Sequence, residues 1–309
     1  MTIAHSDKLM NTEATQINKP SLRTKKRVDW KERIFHGLFL SSAVIGIVSL
    51  AVIAYFIVAE SIPAFQEAGV SGIVLGVDWL PPALFGVATM IVASIVSTLG
   101  AVVVGVPVGV LTAIFIAEIA PKRLADIIRP AVELLAGIPS VVYGFFGLVI
   151  IVPMIQNIFQ VPAGNTIFAG IIVLGIMILP TVITVSETSI RAVPRTYKEG
   201  SLALGASKIY TVFKLLVPAA RSGIMTGVIL GIGRALGETM AIIMVMGNAP
   251  AMPEGILDSA RTLTANIAIE MSYASGIHAS ALYATGVVLL VFIMMLNGAL
   301  LYLYREKTK

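Results

Sequence analysis

Apolar side chains run along this chain in long unbroken stretches instead of at alternate or helical spacings. The stretches are Ile34–Val58, Leu84–Ala117, Ala131–Gln156, Thr166–Val185, Ser222–Gly247 and Ala281–Tyr304. An α-helix needs about 20 apolar residues to cross the hydrocarbon core of a bilayer, so the pattern predicts an all-α polytopic membrane protein with six transmembrane helices. A β-barrel is excluded, because its strands alternate in polarity and are only about ten residues long. The Leu84 run exceeds one crossing and is predicted to begin with an interfacial or tilted stretch, with Pro107 as a kink. The Ile34 run follows a polar head too long for an ordinary cleaved leader and reads as a retained anchor. Between the fourth and fifth runs, residues 186–221, the pattern changes. Pro194 opens a short helix over Tyr197–Leu204, Gly205 permits a turn, and Ile209, Val212, Phe213 and Leu216 recur at helical spacing. A compact helix–turn–helix knob is expected there.

Composition sharpens the class. Apolar residues make up 57% of 309 and charged residues 13%, about half the roughly 25% of soluble domains. The 22 Lys and Arg exceed the 17 Asp and Glu to give a net charge of +5, but their placement speaks against nucleic acid. Twenty of the 22 fall in the N-terminal tail, around Lys122–Arg129, in the 186–221 loop or at the C-terminus. Basic residues collect on the cytoplasmic side of membrane proteins, so both termini and the long loop are expected in the cytoplasm. The opposite loops carry Arg261 beside Glu60, Glu67, Asp78, Glu254, Asp258 and Glu270. Residues 1–33 hold eight basic and four acidic side chains without apolar periodicity and are expected to be disordered. Within them Arg23, Lys25, Lys26 and Arg27 either set topology or touch anionic lipid.

Reactive chemistry is sparse. There is no Cys, and His5, His36 and His278 are far apart in sequence, so no disulfide framework, thiolate nucleophile or helical metal-ligand pair is expected. No GxxxxGK[ST] stretch exists to cradle nucleotide phosphates. With no catalytic residue, metal or cofactor in view, any ATP hydrolysis belongs to another subunit. Arg234 and Glu238 stand apart because they fall inside an apolar run, near the middle of 222–247. A charge there costs about 2.5–3.5 kcal/mol on insertion scales. Their i, i+4 spacing predicts one face and allows pairing. Two readings stand: a structural ion pair, or a substrate pathway in which the guanidinium fork meets a phosphate-like oxyanion. In the third run Gly137 and Pro139 predict a helix break. Ser140 and Tyr143 just beyond it are further pathway candidates, able to offer hydroxyls or helix-start N–H groups to an anion. Small residues at 223, 227, 231 and 235, and at 233, 237 and 241, form two stripes suited to close helix packing.

Glu199, Gly205 six residues on and Pro218 thirteen beyond that resemble the EAA motif of ABC importer permeases, E-A-A-x3-G-x9-I-x-L-P. Gly200 and Ser201 replace the two alanines, and Leu215 and Val217 stand where the motif has Ile and Leu. With GIPSVVYGFFG at 137–147, GRALGETMAIIMVMGN at 233–248 and LTANIAIE at 263–270, the chain is similar to phosphate ABC transporter permeases of the PstC type over about 105–304. The resemblance implies a type I importer (MetI-like) permease domain over 34–309, working in the cell membrane. It implies a heterodimer with a PstA-type permease, two copies of a PstB-type ATPase, and inorganic phosphate delivered by a PstS-type binding protein. It also implies that Glu199, Gly200, Ser201, Gly205 and Pro218 dock the ATPase through a coupling loop over about 186–221. A permease for sulfate, molybdate or phosphonate is the nearer alternative. A secondary transporter or channel would leave the knob unexplained, and no nucleophile–base pair or carboxylate dyad suggests an enzyme.

Overall fold

The computed structural model describes residues 30–306; the basic cluster at 23–27 and the expected tail disorder lie outside the described residues. Two compact units meet at Ile53 and Ala54. The described part of the first is wholly helical, with Phe35, Ile45 and Leu50 exposed, as suits a segment bathed in lipid.

Helix α1 is Trp30–Leu75, longer than the expected 34–58 and kinked at Gly69, which takes a non-helical φ of 72° and ψ of 158°. Glu60 and Pro63 do not stop it, and a hydroxyl explains how the chain continues. Ser280 Oγ accepts from Ala64 N at 3.1 Å and donates to the Glu60 carbonyl at 2.6 Å. It thereby stands in for the ladder bond beside the proline. Two short strands follow, β1 (Trp79–Leu80) and β2 (Leu84–Phe85), paired antiparallel where the sequence suggested a tilted stretch. Helix α2 is Ala88–Ile114, extended by a π-helical turn at Phe115–Ile119. Helix α3 is Lys122–Gly137, and α4 (Ser140–Phe146) continues through a π-helical turn at Gly147–Ile151 into α5 (Val152–Phe159). The third crossing is therefore Ser140–Phe159, not 131–156. Ala131–Gly137 belong to the amphipathic α3, which buries Ala125 and Val132 beside Ala113, Ile116 and Ile183.

Helix α6 (Ile167–Arg191) carries the fourth crossing six residues past its expected end. Then come α7 (Arg195–Ala203), α8 (Lys208–Thr211) with a π-helical turn at Val212–Leu216, α9 (Val217–Ala219) and α10 (Arg221–Gly237). Helices α11 (Met240–Val245), α12 (Leu263–Glu270) and α13 (Ile277–Glu306) complete the chain. Among the described residues, five helices are long and apolar enough to cross a membrane. The pair Lys208–Ala219 and Arg221–Gly237, bent by 68°, makes a sixth only if it is counted as one span.

Glycines set how closely the central helices approach. On α2, a Cβ at Gly105 would sit 2.7 Å from the Gly175 carbonyl oxygen and one at Gly109 2.9 Å from Val182 of α6. The first small-residue stripe of α10 faces α6 as well: Gly231 lies against Val182, and Gly227 against Val185 and Ser186. At Gly233 and Gly237 an added Cβ meets nothing within 4 Å. The two stripes thus have different surroundings, one packed within the chain and one open. Gly105→Ala, pressed against a backbone carbonyl, is expected to cost about 1–3 kcal/mol, typical of overpacking. Gly233→Ala should leave stability unchanged; thermal unfolding of the purified chain in detergent compares them.

Candidate functional site

The fifth crossing is broken where the sequence suggested a continuous helix. Helix α10 ends at Gly237, Glu238 is extended (φ −70°, ψ 131°), and α11 starts at Met240. Local polar groups account for the break. Glu238 Oε1 accepts from Ala241 N at 3.1 Å, and Thr239 Oγ1 donates to the Gly237 carbonyl at 3.2 Å. Side chains that capture backbone groups in this way compete with helix continuation. Arg234 consequently lies in the last turn of α10, where a cation is favoured by the helix dipole. The expected i, i+4 pair with Glu238 does not form, because the two residues no longer share a helix. Among the described residues Arg234 has no hydrogen-bond or ion-pair partner, and both side chains are half-buried.

The third crossing opens at a comparable break. Helix α3 stops at Gly137, Ile138 and Pro139 are extended, and α4 begins at Ser140. Tyr143 is buried and its hydroxyl donates to the Leu135 carbonyl at 2.7 Å, tying α4 back to the end of α3. That proton is therefore already committed. Ser140 is half-buried, and its hydroxyl has no partner among the described residues. The two restarted helices meet directly: a Cβ at Gly144 of α4 would be 2.7 Å from Ala241 Cα of α11. The two breaks are therefore adjacent, with Arg234 and Glu238 at one and Ser140 and Tyr143 at the other.

Helix α12 joins this region to a charge cluster that sequence reading missed. Thr264 Oγ1 donates to the Glu238 carbonyl at 3.0 Å, and the Leu263 N–H donates to Ser94 Oγ of α2 at 3.1 Å. At the far end of α12, buried Glu270 accepts from Trp79 Nε1 at 2.9 Å and from His278 Nε2 at 2.8 Å, and pairs with Arg261. Arg261 also donates to the Asn248 carbonyl at 2.9 Å and to Asn266 Oδ1 at 3.0 Å. Burial alone would push the Glu270 carboxyl up; hydrogen bonds from Trp79, His278 and Arg261 outweigh it and hold the group below the usual carboxylate range. The signal available in sequence was an isolated base, Arg261, in an otherwise acidic set of loops.

A second missed cluster sits at the other end of the bundle. Glu187, read as loop, lies in α6 and is buried. It accepts from Arg129 Nε and Nη2 at 3.0 and 2.8 Å, and from Arg191 Nε at 2.8 Å, joining α3 to α6. The knob between α6 and α10 spans 192–220. Pro194 stands immediately before α7, and α7 closes with Gly205 at φ +85°. The Gly205 N–H donates to the Leu202 carbonyl at 3.0 Å and the Ala206 N–H to the Ser201 carbonyl at 3.2 Å, a double closure that needs the left-handed residue at 205. Ser201 Oγ meets Thr211 Oγ1 at 2.9 Å, holding α7 to α8. Val212 and Leu216 are buried, whereas Ile209 and Phe213 are exposed, so only half of the expected apolar face turns inward. Glu199, Gly200 and Pro218 are exposed and Leu204 at the tip is 91% exposed.

Comparison with known proteins identifies the family. The family described as "Binding-protein-dependent transport system inner membrane component" matches residues 105–309. The chain is similar to the "Probable ABC transporter permease protein YqgH" of Bacillus subtilis, 38% identical and covering 91% of this chain and 93% of that one. It is 33% identical to the "Phosphate transport system permease protein PstC" of Mesorhizobium japonicum, covering 91% and 92%. Among solved structures, a chain of a bacterial ABC transporter involved in the import of the acidic polysaccharide alginate superposes with a TM-score of 0.65 at 15% identity, covering 91% and 99%. A chain of the MetNI methionine ABC transporter gives 0.55 at 22%, covering 72% and 95%.

Proposed function

The chain belongs to the family of binding-protein-dependent transport system inner membrane components, as an ABC importer permease subunit of the PstC type, and from that premise we propose that it moves inorganic phosphate. It is a transport subunit, not an enzyme. The observation that carries the phosphate reading is Arg234: a guanidinium inside a membrane-spanning segment, at the gap between α10 and α11, with no hydrogen-bond or ion-pair partner among the described residues. A charge held within a membrane-spanning segment without a protein partner is costly, and a transiting oxyanion offsets that cost by accepting the guanidinium's paired N–H groups. Glu238 adds selectivity. One of its carboxylate oxygens holds Ala241 N, and the other is open to a P–OH, which phosphate carries at neutral pH and sulfate does not. Ser140 offers a free hydroxyl from the facing break, and Tyr143 positions it by tying α4 to α3.

In the same reading residues 34–309 form the permease domain and pair with a PstA-type permease along the open face of Gly233 and Gly237. Two PstB-type ATPases work from the cytoplasm, with one seated on Glu199, Gly200, Ser201, Gly205 and Pro218. A PstS-type binding protein delivers phosphate from the opposite side, and both termini lie in the cytoplasm. Labelled phosphate uptake by the reconstituted complex tests the substrate: excess unlabelled phosphate should abolish uptake, while sulfate, molybdate and phosphonate should leave it intact. Stronger competition by one of those three would transfer the assignment to that anion.

A further inference from the structure

Helix α7 stands away from the bundle: none of its residues is buried. Beneath it lies a cavity of about 410 Å³, lined by Ala117, Glu118, Ile190, Arg195, Lys198 and Leu202 among others. A helix held over an open space passes displacement to the far wall through whatever crosses that space. Among the described residues, one ionic side-chain link joins α7 to the end of α2, the pair between Lys198 Nζ and Glu118 Oε2. Glu118 is 11% exposed and sits in the π-helical turn Phe115–Ile119. A carboxylate so shielded is costly when unpaired, so it stays with Lys198 as α7 moves. The same turn is fixed to α6 by Arg191 Nη2 donating to the Ile116 carbonyl at 3.3 Å. Farther along, α2 packs closely on α6 at Gly105 and Gly109, so displacement at Glu118 passes into α2 together with the helix packed against it.

We propose that the Lys198–Glu118 pair is the tie that carries movement of the docking helix α7 into the second transmembrane helix. This rests on the reading of α7 as the ATPase docking element. Lys198 and Glu118 are positioning residues; neither touches the transported anion. The test is phosphate uptake and ATP hydrolysis measured together in the reconstituted complex. For K198A and E118Q, phosphate moved per ATP should fall about fivefold, at the lower end of typical coupling between sites, with the ATPase still bound and hydrolysing. The charge-swapped double variant K198E/E118K should recover most of the wild-type ratio, which a purely structural role for either residue would not produce. An unchanged ratio in K198A, or no recovery in the swap, overturns the tie. Loss of ATPase co-purification in K198A also overturns it, because Lys198 would then belong to the docking surface. If the wild-type chain itself retains no ATPase, the docking reading of α7 falls and the tie falls with it.

Discussion

Arg234→Ala is expected to lower phosphate uptake by about two orders of magnitude while the complex still assembles. Removing one partner of a desolvated charge contact costs about 2–5 kcal/mol, and each 1.4 kcal/mol is about a factor of ten. Assembly should survive because Arg234 makes no hydrogen bond or ion pair among the described residues. Arg234→Lys keeps the charge but loses the planar fork, so an intermediate loss of about tenfold is expected. Labelled phosphate uptake alongside co-purification of the subunits reads both quantities. Normal uptake by Arg234→Ala in an intact complex would remove Arg234 from the pathway.

Glu270→Ala is expected to destabilise the chain by about 3–5 kcal/mol, the range for stripping one partner from a buried ion pair. The reason is how enclosed the cluster is: Trp79 as a whole is 4% exposed, and the side chains of Glu270, Arg261 and His278 are 8%, 13% and 15% exposed. Without the carboxylate, Arg261 stays buried with only the Asn248 carbonyl and Asn266 to meet it. Glu187→Ala should cost less, since Arg129 and Arg191 are 35% and 47% exposed and can return to water. Thermal unfolding in detergent ranks the two. The lowered Glu270 carboxyl also sets a pH dependence. A group whose pKa is depressed by folding contributes stability that is fully present above its unfolded value, about 4.3, and is lost as pH falls through the lower folded value. Wild-type stability should therefore decline on acidification below about pH 4, and Glu270→Gln should remove that part of the decline.

The membrane plan was legible because its signal is collective: six apolar runs cannot be hidden in water, whatever their neighbours. Boundaries were less legible because single contacts decide them. Helix α1 passes Pro63 with the help of Ser280, a residue more than two hundred positions away. The knob could be read because Pro194 and Gly205 act locally, one before a helix start and one in the left-handed turn after its end. The break at Glu238 was not, since Gly237, Glu238 and Thr239 interrupt an apolar run whose composition continues on both sides. That break changes the meaning of the charged pair: what looked like helical neighbours are a helix-end cation and a carboxylate bound to the next helix. The Glu270 cluster draws on positions 79, 261, 270 and 278, and only the folded chain brings them together.

The most direct test of the pathway uses the absence of cysteine from this chain. Arg234→Cys in the assembled complex would carry one thiol of its own, to be treated with a water-soluble aminoethyl thiosulfonate. The expected result is rapid modification and partial recovery of phosphate uptake, as the attached ammonium restores a cation at the gap between α10 and α11. A thiol that stays unmodified throughout the transport cycle would mean that position 234 is sealed from water, and the phosphate route drawn through it would be contradicted.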